Sequence, residues 1–155
     1  MTRNIFVSVF FAVVFNTTFG QTKAECLKYI KLIERTKKDD SQISNDWVSS
    51  ELKGNLLVTK IRLPIQTVDE STNMKQIETI TISYNRECKL WYLIFYFSDN
   101  GYRYKITNDD GSPAYENFRN ERAYYGFESK NEAIKTRSVF IRLATILGAK
   151  PTSLD

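Results

Sequence analysis

Histidine is absent from the sequence. That one gap removes the Ser–His–Asp and Cys–His nucleophilic systems, histidine-ligated zinc, and imidazole as a general base. Cysteine is nearly as scarce, and two residues are too few for a zinc site built from thiolates alone. Without a histidine beside it, neither thiol has a ready route to the reactive thiolate. Three prolines and six glycines form no Gly-rich phosphate loop, no nucleophile elbow and no Pro/Gly-rich linker. Beyond residue 20 no apolar run approaches the roughly 20 residues that a membrane helix needs. Internal repeats and low-complexity stretches are missing as well. No catalytic residue, no metal ligand set and no cofactor is therefore expected.

What is present points first to a destination. The chain has 155 residues, 42% hydrophobic and 26% charged, which suits one folded domain. Arg3 precedes an apolar run over residues 5–15, and the small residues Thr18 and Gly20 stand just before a cleavage point ahead of Gln21. This is the three-part layout of a secretory signal peptide over residues 1–20, with a single α+β domain over 21–155. An uncleaved anchor is the competing reading, but the run is short for it, so no stable transmembrane anchoring is expected after cleavage. Export to the periplasm or the outside then sets the partner classes. The net charge of +4 falls by one when Arg3 leaves, and an exported, mildly basic protein is not expected to bind nucleic acid. A protein or an anionic envelope component is the better-matched partner. Export also permits a disulfide between Cys26 and Cys88, worth roughly 4 kcal/mol by loop closure. Two free thiols that never approach are the alternative.

Apolar residues at helical spacing, Leu27, Ile30 and Ile33, predict a first helix over 23–38, with Lys28, Lys31 and Arg35 facing out. Residues 39–55 are polar and irregular around Trp47. Alternation predicts strands at 56–63, stopped by Pro64, and at 77–84, with a polar loop over 66–75 between them. Residues 90–97 are apolar on both faces, the mark of a central strand. Asn100-Gly101 predicts a type I′ hairpin turn into a returning strand at 102–107. A long polar loop over 108–121 and a short strand at 122–127 follow. Ser129 and Glu132 supply a capping box for a closing helix that buries Ala133, Phe140, Leu143, Ala144 and Leu147 and stops at Gly148. Strands in succession between two helices make the fold class α+β: an N-terminal helix, an antiparallel sheet of four to five strands, and a C-terminal helix.

The predicted hairpin fixes a register in which Phe97 faces Tyr104 and Phe95 faces Ile106. Trp91, Leu93, Phe95, Phe97, Tyr104 and Ile106 then share a core face with Ile80 and Ile82. The opposite face gathers Tyr92, Ile94 and Tyr96 with Arg103, Lys105, Thr79, Thr81 and Ser83. Either a terminal helix covers this face, or it stays open with Tyr92 and Tyr96 packing on a partner while Arg103 and Lys105 meet negative charge. The long loop over 108–121 adds Tyr115 and Arg119, because ordered loops of that length usually close over something or bind. Asp109-Asp110-Gly111 is a turn rather than a calcium loop, since Ile106 occupies the first ligand position of the EF-hand pattern.

The export segment ending Phe19-Gly20-Gln21, with the closing helix from Phe127-Glu128-Ser129 to Leu147-Gly148-Ala149-Lys150, resembles small uncharacterised exported proteins of Gram-negative bacteria. The resemblance implies the same layout of short helix, strands and terminal helix, and carries over no catalytic residue. The closing helix is also similar to pleckstrin-homology architecture, and the leading helix before a sheet to cystatins, but each plan lacks the other's helix. The sequence thus reads as an exported, non-enzymatic binding module that recognises a protein or anionic envelope component. Its binding residues are Tyr92, Tyr96, Arg103, Lys105, Tyr115 and Arg119. A carrier of an amphipathic lipid or glycan in a sheet–helix pocket and a histidine-free hydrolase with paired carboxylates are the alternatives. The oligomeric state stays open.

Overall fold

A computed structural model describes residues 21–38 and 46–154. The expected signal peptide, residues 1–20, lies outside the described residues. Helix α1 (Lys23–Lys38) turns Cys26, Ile30 and Ile33 into the core and leaves Lys28, Lys31 and Arg35 outside, as their spacing predicts. Glu25 accepts hydrogen bonds from the Thr22 amide at 2.7 Å and hydroxyl at 3.1 Å, which fix the start of the helix. Helix α2 (Lys130–Ile146) buries Ala133, Thr136, Phe140, Leu143 and Ala144. Ser129 is its N-cap, but its side chain makes no cap hydrogen bond, so the expected capping box is not formed. Its end is as predicted. Gly148 takes φ +93°, and Ala149 N–H donates to Ala144 at 2.9 Å. The helices pack together, with the hydroxyls of Tyr29 and Thr136 3.2 Å apart.

The strands form two sheets rather than one. Five antiparallel strands lie in the order β1 (Asp46–Lys53), β2 (Leu56–Leu63), β3 (Gln66–Asn73), β6 (Tyr102–Asn108) and β7 (Pro113–Arg119). Four more lie in the order β8 (Glu121–Phe127), β5 (Leu90–Phe97), β4 (Ile77–Asn85) and β9 (Thr152–Leu154), antiparallel except for the parallel pair β4 and β9. The α+β class stands, enlarged by a second sheet.

The chain passes between the sheets three times along one line: through a 3₁₀ turn at Met74–Gln76, through residues 98–101, and at Asn120. Hydrogen bonds knit the three crossings into a corner. Asn73 N–H donates to Gly101 at 2.7 Å, Ser98 N–H to Gln76 at 3.0 Å, and Phe97 N–H to Asn120 at 2.9 Å. The Asn120 side chain also accepts from Asn100 N–H at 2.7 Å. These bonds explain why Asn100-Gly101 makes no hairpin. Its backbone groups are taken by β3 and Asn120, neither residue has positive φ, and β6 enters the other sheet. The true hairpin after β6 turns at Asp109-Asp110-Gly111, where Gly111 has φ +83°. Asp110 accepts from the Ser112 hydroxyl at 2.6 Å and amide at 2.8 Å, which pulls its carboxyl below the usual range.

Three stretches read as loops are strands. Residues 46–53 form edge strand β1, which includes Trp47; that side chain lies outside the described residues. The polar run 66–73 is β3, paired on both sides, because its charges find cross-strand partners. Residues 113–119, inside the expected long loop, form edge strand β7 with Pro113 at its first position, where a missing N–H is tolerated. Hairpin β4–β5 keeps the predicted faces in a different register. Ile80 and Ile82 pair with Phe95 and Leu93, and Tyr84 pairs with Trp91 rather than Lys89. Phe95, fully buried, meets Phe140 edge-on at 4.9 Å, and Ile80, Leu93, Phe97, Leu57 and Ile30 complete one core with both helices.

The expected disulfide is not present. Cys26 is buried on α1, whereas Cys88 is exposed at the tip of the β4–β5 hairpin, and both thiols are free. Burial raises the Cys26 thiol above its ordinary range.

Candidate binding site

The inner face of the five-stranded sheet carries Thr72 and Glu70 on β3, Tyr102 and Tyr104 on β6, and Tyr115, Asn117 and Arg119 on β7. Register sets these side by side: Thr72 with Tyr102 and Glu70 with Tyr104, then Tyr102 with Arg119, Tyr104 with Asn117 and Ile106 with Tyr115. From the other sheet, Arg122 on β8 reaches across the corner. Its guanidinium donates to Thr72 Oγ1 at 2.7 Å, ion-pairs with Glu70 and lies 4.8 Å over the Tyr102 ring. A buried arginine is satisfied here by three partners at once.

Against this anchor the corner opens a cleft of about 700 Å³. Tyr102 and Arg122 belong to its lining, with Asn100, Asn120, Phe118, Arg119 and Glu121 around them. Arg122 is already neutralised by Glu70. Arg119 is exposed and has no carboxylate partner among the described residues. It is therefore the cation that the cleft can offer to a ligand. Farther along the same face, Tyr104 and Tyr115 meet at 6.4 Å with rings inclined by 64°. Tyr115 is 46% exposed and extends the aromatic surface to solvent.

Burial, reinforced by Glu70 and opposed by Arg122, pushes the Tyr102 hydroxyl well above the ordinary tyrosine range. Tyr104 is raised too, again chiefly by burial. The unfolded chain releases these protons near pH 10, the folded protein only higher. Both tyrosines thus contribute stability that is complete below about pH 10 and is lost as pH rises toward their folded-state values. Urea melts between about pH 8 and pH 11 are expected to show falling stability at the alkaline end, with a shallower decline in Tyr102→Phe. Equal slopes in the two proteins would remove Tyr102 from this account.

The six residues singled out from sequence fall on three strands in pairs that each share a face, Tyr92 with Tyr96, Arg103 with Lys105 and Tyr115 with Arg119, and of the six Arg119 lines the cleft. Tyr92 and Tyr96 are half-buried on the face of the four-stranded sheet opposite Leu93 and Phe95, the side that faces α2. Arg103 and Lys105 lie on the outer face of the other sheet. The composite face of Tyr92, Tyr96, Arg103 and Lys105 is thereby overturned, because it required β5 and β6 to pair. Phe95 pairs instead with Ile80 and Arg122, and Tyr104 with Glu70 and Asn117. Arg103 already has local partners, and Lys105 has carboxylate-bearing neighbours across both strands. Arg103 donates to Glu116 at 2.6 Å and lies 5.7 Å over Phe118, and Lys105 sits between Asp69 and Glu116.

Sequence reasoning missed Glu70, Thr72 and Tyr102. Glu70 and Thr72 lay in a polar run taken for a loop, Tyr102 lay in a strand assigned to a hairpin that does not form, and only the corner reveals that Arg122 reaches them. Among the described residues no three Cys, Asp or Glu side chains converge as metal ligands. No helix among them is long and apolar enough to cross a membrane. No protein-family model matches the chain, and no curated protein or solved structure is significantly similar to it.

Proposed function

We propose that this is an exported, non-enzymatic binding module that takes an anionic envelope ligand in the corner cleft. The observation that carries the reading is Arg119, an exposed cation without a carboxylate partner, standing beside a second arginine whose charge is already neutralised. Two side-chain amides, Asn100 and Asn120, and two aromatic rings, Tyr102 and Phe118, complete the lining. Amides suit hydroxyl groups and rings suit the apolar face of a sugar, so an acidic saccharide fits better than a purely aliphatic one. Export rests on the signal-like segment over residues 1–20. The open, mixed lining gives less support to an enclosed lipid carrier. For a hydrolase, the cleft offers Glu121, while Glu70 is held by Arg122.

The test uses protein expressed from the full sequence and purified as the cell processes it, with its mass expected to correspond to a chain starting at Gln21. Trigalacturonate and a neutral trisaccharide are titrated by NMR or calorimetry. The acidic sugar is expected to bind more tightly, and Arg119→Ala to weaken it about tenfold, the loss of one charge-assisted hydrogen bond. Equal response to both sugars, or an Arg119→Ala protein that binds unchanged, would remove the basis of the reading.

A further inference from the structure

Strand β7 ends the five-stranded sheet, with β6 on one side and no strand on the other among the described residues. The remaining sheet edges carry protection. Strand β1 has a bulge between Trp47 and Ser49, the charges of Glu51 and Lys53, and α1 against it. Strand β9 is only three residues long. Strand β8 meets β5 through a bulge and contains Gly126. In β7 the proline and the bulge are confined to its first two positions, Pro113 and Ala114. From Tyr115 to Arg119 there is no lysine, proline or bulge, and all but Asn117 are exposed. Phe118 and Tyr115 stand on opposite faces at 51% and 46% exposure. An open edge of this kind is a template for another strand.

The sequence of β7 says which strand fits. Two copies paired antiparallel about a two-fold axis must set one residue opposite its own copy. Centred on Glu116, the pairing opposes two carboxylates. Centred on Tyr115, it uses only the first half of the strand and relies on Pro113. Centred on Phe118, it runs past the corner at Asn120 and sets Tyr115 against Glu121. Centred on Asn117, it spans the strand and places Tyr115 opposite Arg119 of the second copy, twice over. Those two side chains share the inner face, and Arg119 has no carboxylate partner among the described residues, so a cation–π contact forms without breaking an ion pair.

We infer that two copies of this protein join through β7, Asn117 facing Asn117 at the two-fold axis, into one continuous ten-stranded sheet. This goes beyond the ligand reading and depends only on the edge and its register.

Sedimentation velocity over a concentration series, on protein expressed from the full sequence, tests it. The wild-type protein is expected to shift from monomer to dimer with concentration. Asn117→Lys sets two ammonium groups against each other and is expected to raise the dimer dissociation constant about tenfold or more. An equal mixture of Asn117→Lys and Asn117→Asp is expected to recover the dimer, since opposite charges then meet at the axis. Circular dichroism of each variant verifies that the monomer is folded. A wild-type protein that stays monomeric, a dimer indifferent to Asn117→Lys, or a charge-swapped mixture that does not pair while its wild-type parent does would each overturn the inference.

Discussion

Replacing Arg122 with alanine is expected to destabilise the protein by about 3–5 kcal/mol, the cost of breaking a buried ion pair from one side. The Arg122 side chain is 6% exposed and that of Glu70 15%, so water cannot replace the lost partner freely. The change leaves a carboxylate within the sheet, takes the donor from Thr72 and uncovers the Tyr102 ring. It also removes a direct tie between β8 and β3, across the corner. The double variant Arg122→Met with Glu70→Leu is expected to recover most of the loss, because two apolar groups of similar size carry no desolvation penalty. Urea denaturation measures both. A single variant that costs less than about 1 kcal/mol would mean that the pair is in effect solvated.

Gly101→Ala is the second large effect, expected at about 1–3 kcal/mol from overpacking. A Cβ at this position would stand 2.6 Å from Cδ1, 2.7 Å from Cγ and 2.8 Å from Cβ of Phe97. The ring cannot easily swing away, since Phe97 is buried in the core and stacks on Phe95. The backbone cannot shift freely either, because the Gly101 carbonyl accepts from Asn73. Glycine is needed here for closeness and not for its conformational range. In the double variant with Phe97→Leu, the cost of Gly101→Ala is expected to shrink, a coupling that thermal melts of the four proteins in the cycle detect. Strictly additive effects would place the strain elsewhere.

The helices were legible because period-3.6 burial is a local signal. Ile30, Ile33, Phe140, Leu143 and Ala144 are buried as their spacing requires. The apolar strands β2 and β4 were legible for the same reason at period two, and β5 as a continuous apolar run. Strand β3 was not. Its residues Asp69, Glu70 and Thr72 are a polar run until Lys60, Arg122 and Tyr104 are brought beside them, and those partners come from distant parts of the chain. The hairpin at Asn100-Gly101 failed because a turn signal describes only what a dipeptide prefers. Here Phe97, Asn73 and Asn120 decided the matter. That one error carried Tyr92 and Tyr96 onto the same imagined face as Arg103 and Lys105. Tyr115 and Arg119 share one face because residues 113–119 form a strand, whose alternation a loop would not have imposed.

The corner also has a consequence in time. Because β3 runs into β4, β5 into β6 and β7 into β8, each sheet is assembled from separate pieces of chain. A polypeptide emerging from its N-terminus pairs β1, β2 and β3 early, but the second neighbour of β3 arrives much later. The four-stranded sheet lacks β8 until residues 121–127 appear, and the core lacks Phe140, Leu143 and Ala144 until α2 is made. A chain that stops short of α2 lacks these core residues, so the native core is completed only when nearly the whole chain is present. Under the export proposed above, that delay would keep the chain open for passage through a membrane.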